Sequence, residues 1–196
     1  ERYALLTLIV LGESFVKVIT ALVSEGAGLD LFLQGSVALI LTCGIWWVYF
    51  DDIASSHIRP VKGGWIVWLY AHLPLQMAIT ASAVAVKKAV HFTLDEPAPD
   101  GYRWLLSGSL ALIYFSVAAI DSVTERRHAN LNNRLRVNAR WLSALLLLVL
   151  APAGNSMSGA VFLALVLAIN VAQVVFDMAL APEELHEQAE LGKKPF

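Results

Sequence analysis

The chain has 196 residues, of which 58 % are hydrophobic and 15 % are charged, and its mean hydropathy is +0.64. A soluble globular domain is about a quarter charged and about half apolar, so the composition excludes an ordinary soluble domain and predicts an integral membrane protein. The formal net charge of −2 argues against nucleic acid as a partner.

Six apolar segments follow one another along the chain, and about twenty apolar residues suffice to cross a bilayer. We therefore expect an all-α integral membrane protein, a bundle of about six transmembrane helices within residues 1–181. The predicted spans are residues 3–24, 31–50, 65–86, 102–123, 138–151 and 159–180. The fifth is short, so it is tilted, extended by Arg140 and Trp141, or less than a full crossing. Residues 182–196 are predicted to be a short polar cytoplasmic tail.

The first segment carries charges inside an apolar helix. Glu13 lies near its middle and Lys17 follows one turn later, in the order that favours an ion pair. A charge at that depth of a membrane costs at least about 2.5–3.5 kcal/mol. Thr20 and Ser24 continue the same face, so we expect this stripe to face other helices or a cavity rather than lipid.

Acidic residues stand at the ends of three further segments. Asp51 and Asp52 follow the second segment, Asp121 closes the fourth, and Asp177 lies near the end of the sixth. Two interpretations remain open for them. They form an acidic vestibule, or they are solvated helix ends paired with Arg59 and the basic residues of a neighbouring loop.

In the third segment, polar residues recur at every fourth position, as His72, Gln76 and Thr80, and therefore share one helix face. Pro74 lacks an amide hydrogen, so we expect it to break or kink this helix and free the carbonyl of Tyr70. Freed carbonyls occur at transporter binding sites, but proline is also common in ordinary transmembrane helices. The stripe is thus either a functional site or a set of interhelical hydrogen bonds.

The sixth segment has a comparable stripe, formed by Asn170, Gln173 and Asp177. Side-chain amides in membrane helices often serve only as interhelical hydrogen-bonding groups. The simplest arrangement that gives the polar side chains of all three stripes hydrogen-bonding partners is one buried polar core that the stripes share. This hypothesis requires that Glu13 and Lys17 face inward.

Basic residues predict the orientation, because cytoplasmic loops of membrane proteins are enriched in Lys and Arg. If the N-terminus is cytoplasmic, ten of the fourteen Lys and Arg residues lie on the cytoplasmic side and three on the other, with Lys17 inside a span. Six spans then place both termini in the cytoplasm. The polar stretch 124–140 contributes five of the ten; it either sets the topology or also binds anionic lipid headgroups.

Known catalytic patterns are absent from the sequence. It has no paired-histidine metal motif, no glycine-rich phosphate loop and no nucleophile elbow. Its one cysteine, Cys43, offers neither a disulfide framework nor a thiolate metal site, and we expect it to be a small buried side chain. We therefore expect neither an enzyme nor a metal site, and no cofactor can be assigned.

Three motifs, in order, resemble those of the bacterial low temperature requirement A membrane proteins. They are ERYALLTLIVLGES at residues 1–14, WWVYFD at residues 46–51 and HLPL at residues 72–75. The resemblance implies a multi-pass protein of the bacterial cytoplasmic (inner) membrane and, since family members have further N-terminal spans, a C-terminal portion of such a protein. It marks Glu1, Arg2, Gly12, Glu13, Ser14, Trp47, Tyr49, Asp51, His72 and Pro74. Lys17 departs from the motif, where a small or apolar residue is expected.

Two functions remain open. The first is an ion- or proton-coupled transporter or channel with Glu13 and His72 as its ionisable centre, because ionisable residues inside membranes mark transport pathways. The alternative is a non-transporting structural or accessory subunit of a larger membrane complex. In that case the Glu13–Lys17 pair is static and the helix surfaces bind other membrane proteins.

Overall fold

The computed structural model describes residues 2–25, 28–53, 56–88, 92–125 and 133–179. Six helices in it are long and apolar enough to cross a membrane, which confirms the predicted all-α membrane architecture. They are α1 (Arg2–Glu25), α2 (Leu29–Trp47), α3 (Gly64–Lys88), α4 (Asp100–Val123), α5 (Asn133–Ala153) and α6 (Gly159–Ala179). Outside the described residues lie Glu1, the stretch 126–132, the predicted tail 182–196 and the side chains of Arg2, Ser14, Ser24, Asp51 and Asp52.

Helix α5 differs most from its predicted span. It begins at Asn133 rather than at residue 138 and continues to Ala153, so the stretch 124–140 is only partly a loop. Arg136 and Arg140 are buried and are therefore withdrawn from the surface that one of the two interpretations of this stretch assigns to anionic lipid. Hydropathy places the beginning of this helix after its first arginines, because the sequence does not show that these arginines have partners on neighbouring helices.

Helix α3 contains Pro74 but is continuous from Gly64 to Lys88. Pro74 therefore does not break the third segment, which was one of the two outcomes expected for it, whereas the other outcome, a kink, is compatible with a continuous helix. A proline removes one backbone hydrogen bond, and the bonds on either side suffice to continue the helix, as they do in many membrane helices.

The helices form a closed ring of neighbours. Helix α4 packs most extensively against α3 and α5, α1 packs against α2 and α3, and α6 packs against α2 and α5. The order around the bundle is therefore α1, α3, α4, α5, α6, α2, and α2 returns to α1. A π-helical turn, Val48–Ile53, extends α2 and contacts α4 and α6.

Short connections define the two ends of the bundle. Strand β1 (His57–Ile58) pairs antiparallel with β2 (Thr124–Glu125), so the α2–α3 and α4–α5 connections meet at one end, which we call the ribbon end. At the opposite end the amide of Gly159 donates to the carbonyl of Glu96. The helices alternate in direction, so the start of α1 and the end of α6 lie at the ribbon end.

The apolar core is densest around α4, of which 67 % is buried, and sparsest around α1, of which 18 % is buried. The core includes Leu75, Ile79, Leu106, Ile113, Leu147 and Phe162. Cys43 is exposed on the outer surface of α2, so the expectation that it is buried is wrong. In a membrane protein the outward surface is as apolar as the core, and an apolar sequence therefore does not tell the two apart.

Candidate functional site

Helices α1 and α3 and the π-helical turn that follows α2 share a hydrogen-bonded cluster near the ribbon end, centred on Thr7. The Thr7 side chain is fully buried, donates to the carbonyl of Tyr3 at 2.9 Å and accepts from Nε2 of Gln76. Tyr49 also hydrogen-bonds to Thr7. Thr7 is not among the residues predicted from the sequence, in which nothing distinguishes it except that it carries a hydroxyl within the motif at residues 1–14.

His72 lies beside Thr7 in a pocket of aromatic rings and is 1 % exposed. Its ring centroid is 4.5 Å from that of Trp68, 4.6 Å from that of Tyr3 and 6.3 Å from that of Tyr49. Nδ1 lies 2.6 Å from the carbonyl of Trp68, so Nδ1 carries the proton and Nε2 is an acceptor. Nε2 has no hydrogen-bond partner among the described residues.

We call these six residues the motif cluster: Tyr3, Thr7, Tyr49, Trp68, His72 and Gln76. It brings together the three segments in which the sequence carries its motifs. Two further predicted positions, Trp47 and Pro74, are half-buried. The third member of the His72 stripe, Thr80, is exposed and donates to the carbonyl of Gln76 at 2.9 Å.

The stripe on α1 faces outward instead. Glu13 and Lys17 form the ion pair that their spacing favours, with Oε1 and Nζ 3.7 Å apart, but their side chains are 59 % and 32 % exposed. Gly12 and Thr20 are exposed as well. The expectation that this stripe joins a buried polar core within the chain is therefore wrong. Helix α1 packs on its neighbours through the opposite face, which includes Thr7, Leu11 and Val18.

A second polar cluster lies at the ribbon ends of α4, α5 and α6. The Arg140 side chain on α5 is completely buried and pairs with Asp121 on α4. Its Nη2 also lies 3.2 Å from Oδ2 of Asp177 on α6. We call Asp121, Arg140 and Asp177 the charge cluster.

The two carboxylates of the charge cluster are each 3 % exposed. One interpretation of the sequence placed Asp121 and Asp177 in a shared acidic vestibule, and the two residues do lie together, on either side of Arg140. They close around a guanidinium instead of lining a solvated vestibule. The sequence placed Arg140 among the basic residues that orient the protein and as one extension of the fifth span, because nothing local indicates that it points inward.

The predicted stripe on α6 continues from the charge cluster toward the middle of the helix. Nε2 of Gln173 donates to Oγ of Ser143 at 2.7 Å, and Nδ2 of Asn170 donates to the hydroxyl of Tyr114 at 3.0 Å. Both amides are at most 5 % exposed. All three residues of this stripe therefore face the interior, as the sequence predicted for it.

A different arginine holds the opposite end together. Arg103 is 4 % exposed; its Nε donates to the carbonyl of Ala151 at 3.1 Å, and Nη1 donates to that of Ala98. Nη2 lies 2.8 Å from Oδ1 of Asp100 and donates to Asn155. Arg103 therefore cross-links the end of α5 to the connection that precedes α4.

The chemistry available at the two ends therefore differs. Arg103 donates to four acceptors, whereas the guanidinium of Arg140 pairs with two carboxylates. Within the described ranges, no group of three or more His, Cys, Asp and Glu side chains could hold a metal ion. The buried side chains in the described part of the bundle include the ionisable residues Asp121, Asp177 and His72.

Comparison with known proteins concerns nearly the whole chain. The sequence model of the family described as "Bacterial low temperature requirement A protein (LtrA)" matches residues 1–180. No curated protein and no solved structure matches the chain. The matched range includes all six helices, and the chain therefore belongs to the bacterial low temperature requirement A (LtrA) family of membrane proteins.

Proposed function

We propose that this protein is a proton-coupled transporter of the bacterial inner membrane and that the charge cluster is its coupling site. The observation that carries the proposal is the complete burial of Arg140 between two carboxylates that belong to two other helices. A buried ion pair is weak evidence for stability, since removing charges from water costs about as much as their attraction returns. Ionisable groups inside a membrane protein instead mark proton and ion pathways.

The cluster also has the connectivity that coupling requires. Arg140 on α5 bonds to α4 through Asp121 and to α6 through Asp177. A proton on Asp177 neutralises the carboxylate and weakens its bond to Arg140, while the bond to Asp121 remains. Proton uptake would thus loosen α6 from α5 and leave α4 and α5 joined, which is the two-state behaviour that a coupled conformational change needs.

The ionisable centre in this proposal differs from the one expected from the sequence. Glu13 points away from the bundle, so the pathway role passes to Asp121 and Asp177. His72 remains part of the proposal because it is buried and its Nε2 has no partner among the described residues. In this proposal Nε2 of His72 accepts a proton within the motif cluster.

The test is proton flux into liposomes that contain the purified protein, followed with an internal pH-sensitive dye under an imposed pH gradient. Asp177→Asn keeps an oxygen for Arg140 but can neither ionise nor take up a proton. We expect flux to fall at least about tenfold, corresponding to a change of about 1.4 kcal/mol. Asp177→Glu is expected to restore part of it.

The matched control is Asp100→Asn, which removes the carboxylate from the ion pair with Arg103 at the opposite end. Flux in this variant should remain within about twofold of the flux of the unchanged protein, well below the tenfold change expected for Asp177→Asn. A folded Asp177→Asn protein with unchanged flux would contradict the assignment of the coupling site. Absence of flux in the unchanged protein would contradict transport of protons itself.

The second candidate function is a non-transporting subunit of a membrane complex. One observation favours it: the Glu13–Lys17 pair lies on the outward face of a membrane-length helix, where a polar surface of a partner would match it better than lipid does. This candidate predicts that the protein purifies with other membrane proteins after mild solubilisation. It also predicts that Glu13→Gln combined with Lys17→Met alters that association without affecting the fold.

A further inference from the structure

A groove of about 340 Å³ lies on the outer surface between α4 and α5, near the middle of both helices. Its lining is apolar and consists of Gly108, Ala111, Leu112, Phe115, Ala144 and Leu148. The two alanines are buried, whereas the two leucines and the phenylalanine are each at least 40 % exposed. The small residues therefore form a floor and the larger ones a rim, and the groove opens toward the lipid that surrounds the bundle.

The groove is preformed, because α4 and α5 are joined on either side of it. At the ribbon end Arg140 of α5 pairs with Asp121 of α4, and at the opposite end Nε of Arg103 donates to the carbonyl of Ala151 at 3.1 Å. Between these contacts Gly108 leaves space unfilled, since a Cβ built there would meet no atom within 4 Å. A space without polar partners suits hydrocarbon better than water.

A line of residues on α5 leads from the groove to the ribbon end. Arg134, Trp141 and Leu148 follow one another at intervals of seven residues, which is close to two helical turns, so they share one helix face. The ring of Trp141 lies edge-on to that of Phe115 on α4, with centroids 4.3 Å apart. Arg134 is exposed, unlike the two buried arginines that follow it in α5. This face thus carries a cation at one end, aromatic rings next and the apolar groove beyond them.

We infer that the groove binds one acyl chain of an anionic phospholipid whose phosphate lies against Arg134. The inference gives a location to the anionic lipid that one interpretation of the stretch 124–140 expected. It does not depend on whether the protein transports protons.

The distances along α5 agree with the length of a lipid chain. The α5 side of the groove, from Ala144 to Leu148, lies about 15–21 Å from Arg134 along the helix axis, at a rise of about 1.5 Å per residue. One leaflet contributes about 15 Å of hydrocarbon, half of the bilayer core. A chain that begins at a phosphate beside Arg134 therefore passes the aromatic rings and ends in the groove.

Charge complementarity favours a phospholipid over a helix of a partner protein. An exposed cation at one end of an apolar channel matches a molecule with one anionic end and an apolar chain. A transmembrane helix also has an apolar middle, but nothing in its general composition places an anion at the depth of Arg134. A guanidinium can donate two parallel hydrogen bonds to a phosphate.

The experiment is photo-cross-linking of the purified full chain in phosphatidylcholine liposomes that contain a small fraction of a probe lipid. The probe is phosphatidylglycerol with a diazirine near the end of one acyl chain, and it is compared with phosphatidylcholine that carries the same chain. Mass spectrometry of peptides locates the label. We expect phosphatidylglycerol to label the groove about fivefold more than phosphatidylcholine does, the preference that one basic residue gives to an anionic headgroup.

Ordinary lipid contact is measured on the same helix. Leu145 is 56 % exposed and lies at the depth of the groove but is not among the residues that line it. The two probes should label Leu145 equally, because a chain that only surrounds the protein is not selected by its headgroup.

Substitutions separate the headgroup contact from the groove. Arg134→Gln should lower labelling by phosphatidylglycerol to the level of phosphatidylcholine, whereas Arg134→Lys keeps the charge and should retain most of it. Gly108→Leu fills the groove and should remove most labelling there with both probes. The matched control is Gly101→Leu on the same helix, where a Cβ also meets no atom within 4 Å; it should leave labelling unchanged. Melting temperatures in micelles identify any variant that does not fold.

Three results would overturn the inference. They are equal labelling of the groove by the two probes, a phosphatidylglycerol preference that survives in a folded Arg134→Gln protein, and groove labelling that Gly108→Leu leaves unchanged.

Discussion

Gly44 sets the distance between α2 and α6 in the middle of the bundle. A Cβ built on Gly44 would overlap the side-chain amide of Asn170, and that amide is held in place by its hydrogen bond to the hydroxyl of Tyr114. The absence of a side chain at one position therefore allows a buried amide of α6 to lie between α2 and α4. The contact supports the α6 stripe that leads to the charge cluster.

At this residue scale we predict that Gly44→Ala destabilises the protein although alanine is the better helix former. Overpacking a well-packed contact costs about 1–3 kcal/mol, more than the gain of about 1 kcal/mol from helix propensity. The measurement is thermal unfolding in detergent micelles. Gly108→Ala is the control, because a Cβ there meets nothing within 4 Å; equal melting temperatures for the two variants would contradict the prediction.

At the scale of whole elements, the ends of the bundle are held by two different arginines. The charge cluster joins α4, α5 and α6 at the ribbon end. At the opposite end Arg103 of α4 bonds to the last turn of α5 and to the connection that precedes α4. Helix α4 is thus fixed to α5 at both ends, whereas α1 packs on α2 and α3 through a single face.

We therefore predict that Arg103→Met loosens the opposite end. The carbonyls of Ala98 and Ala151 lose their donor, and a buried acceptor without a partner costs about 1–3 kcal/mol, so the two together cost about 2–6 kcal/mol. A lower melting temperature and faster proteolysis of residues 92–99 in micelles would confirm the loss. Lys88→Met, which removes an exposed cation at the same end, should leave both measurements unchanged.

At the scale of the whole molecule, the two ends of the bundle carry different polar groups. Both the motif cluster and the charge cluster lie toward the ribbon end. Among the basic residues that predict orientation, the described ones at this end are Arg59, Lys62, Arg134, Arg136 and Arg140. We propose that this end faces the cytoplasm, which would give the buried ionisable groups a short route to the cytoplasmic solution.

The orientation can be checked with single cysteines in a Cys43→Ser background. A membrane-impermeant thiol reagent added to intact cells should label Pro97→Cys, at the opposite end, and should label His57→Cys only after permeabilisation. Both native side chains are exposed in the structure. Labelling of His57→Cys in intact cells would reverse the proposed topology.

The sequence by itself determined the number and the approximate positions of the six helices, because length and apolar composition are properties of each segment alone. It also indicated that Asn170, Gln173 and Asp177 share one helix face, since that follows from the helical repeat. The same rule paired Glu13 with Lys17 correctly.

Only the tertiary structure decided which polar face is inside. Glu13 and His72 looked equivalent in sequence, yet Glu13 is exposed and His72 is buried. The reason is that a lipid-facing surface and a protein core are equally apolar, so the pattern of one helix does not reveal which face its neighbours cover. Arg140 likewise points inward because Asp121 and Asp177 pair with it. Both are distant from Arg140 in sequence, and only the packing of α4 and α6 against α5 brings them to it.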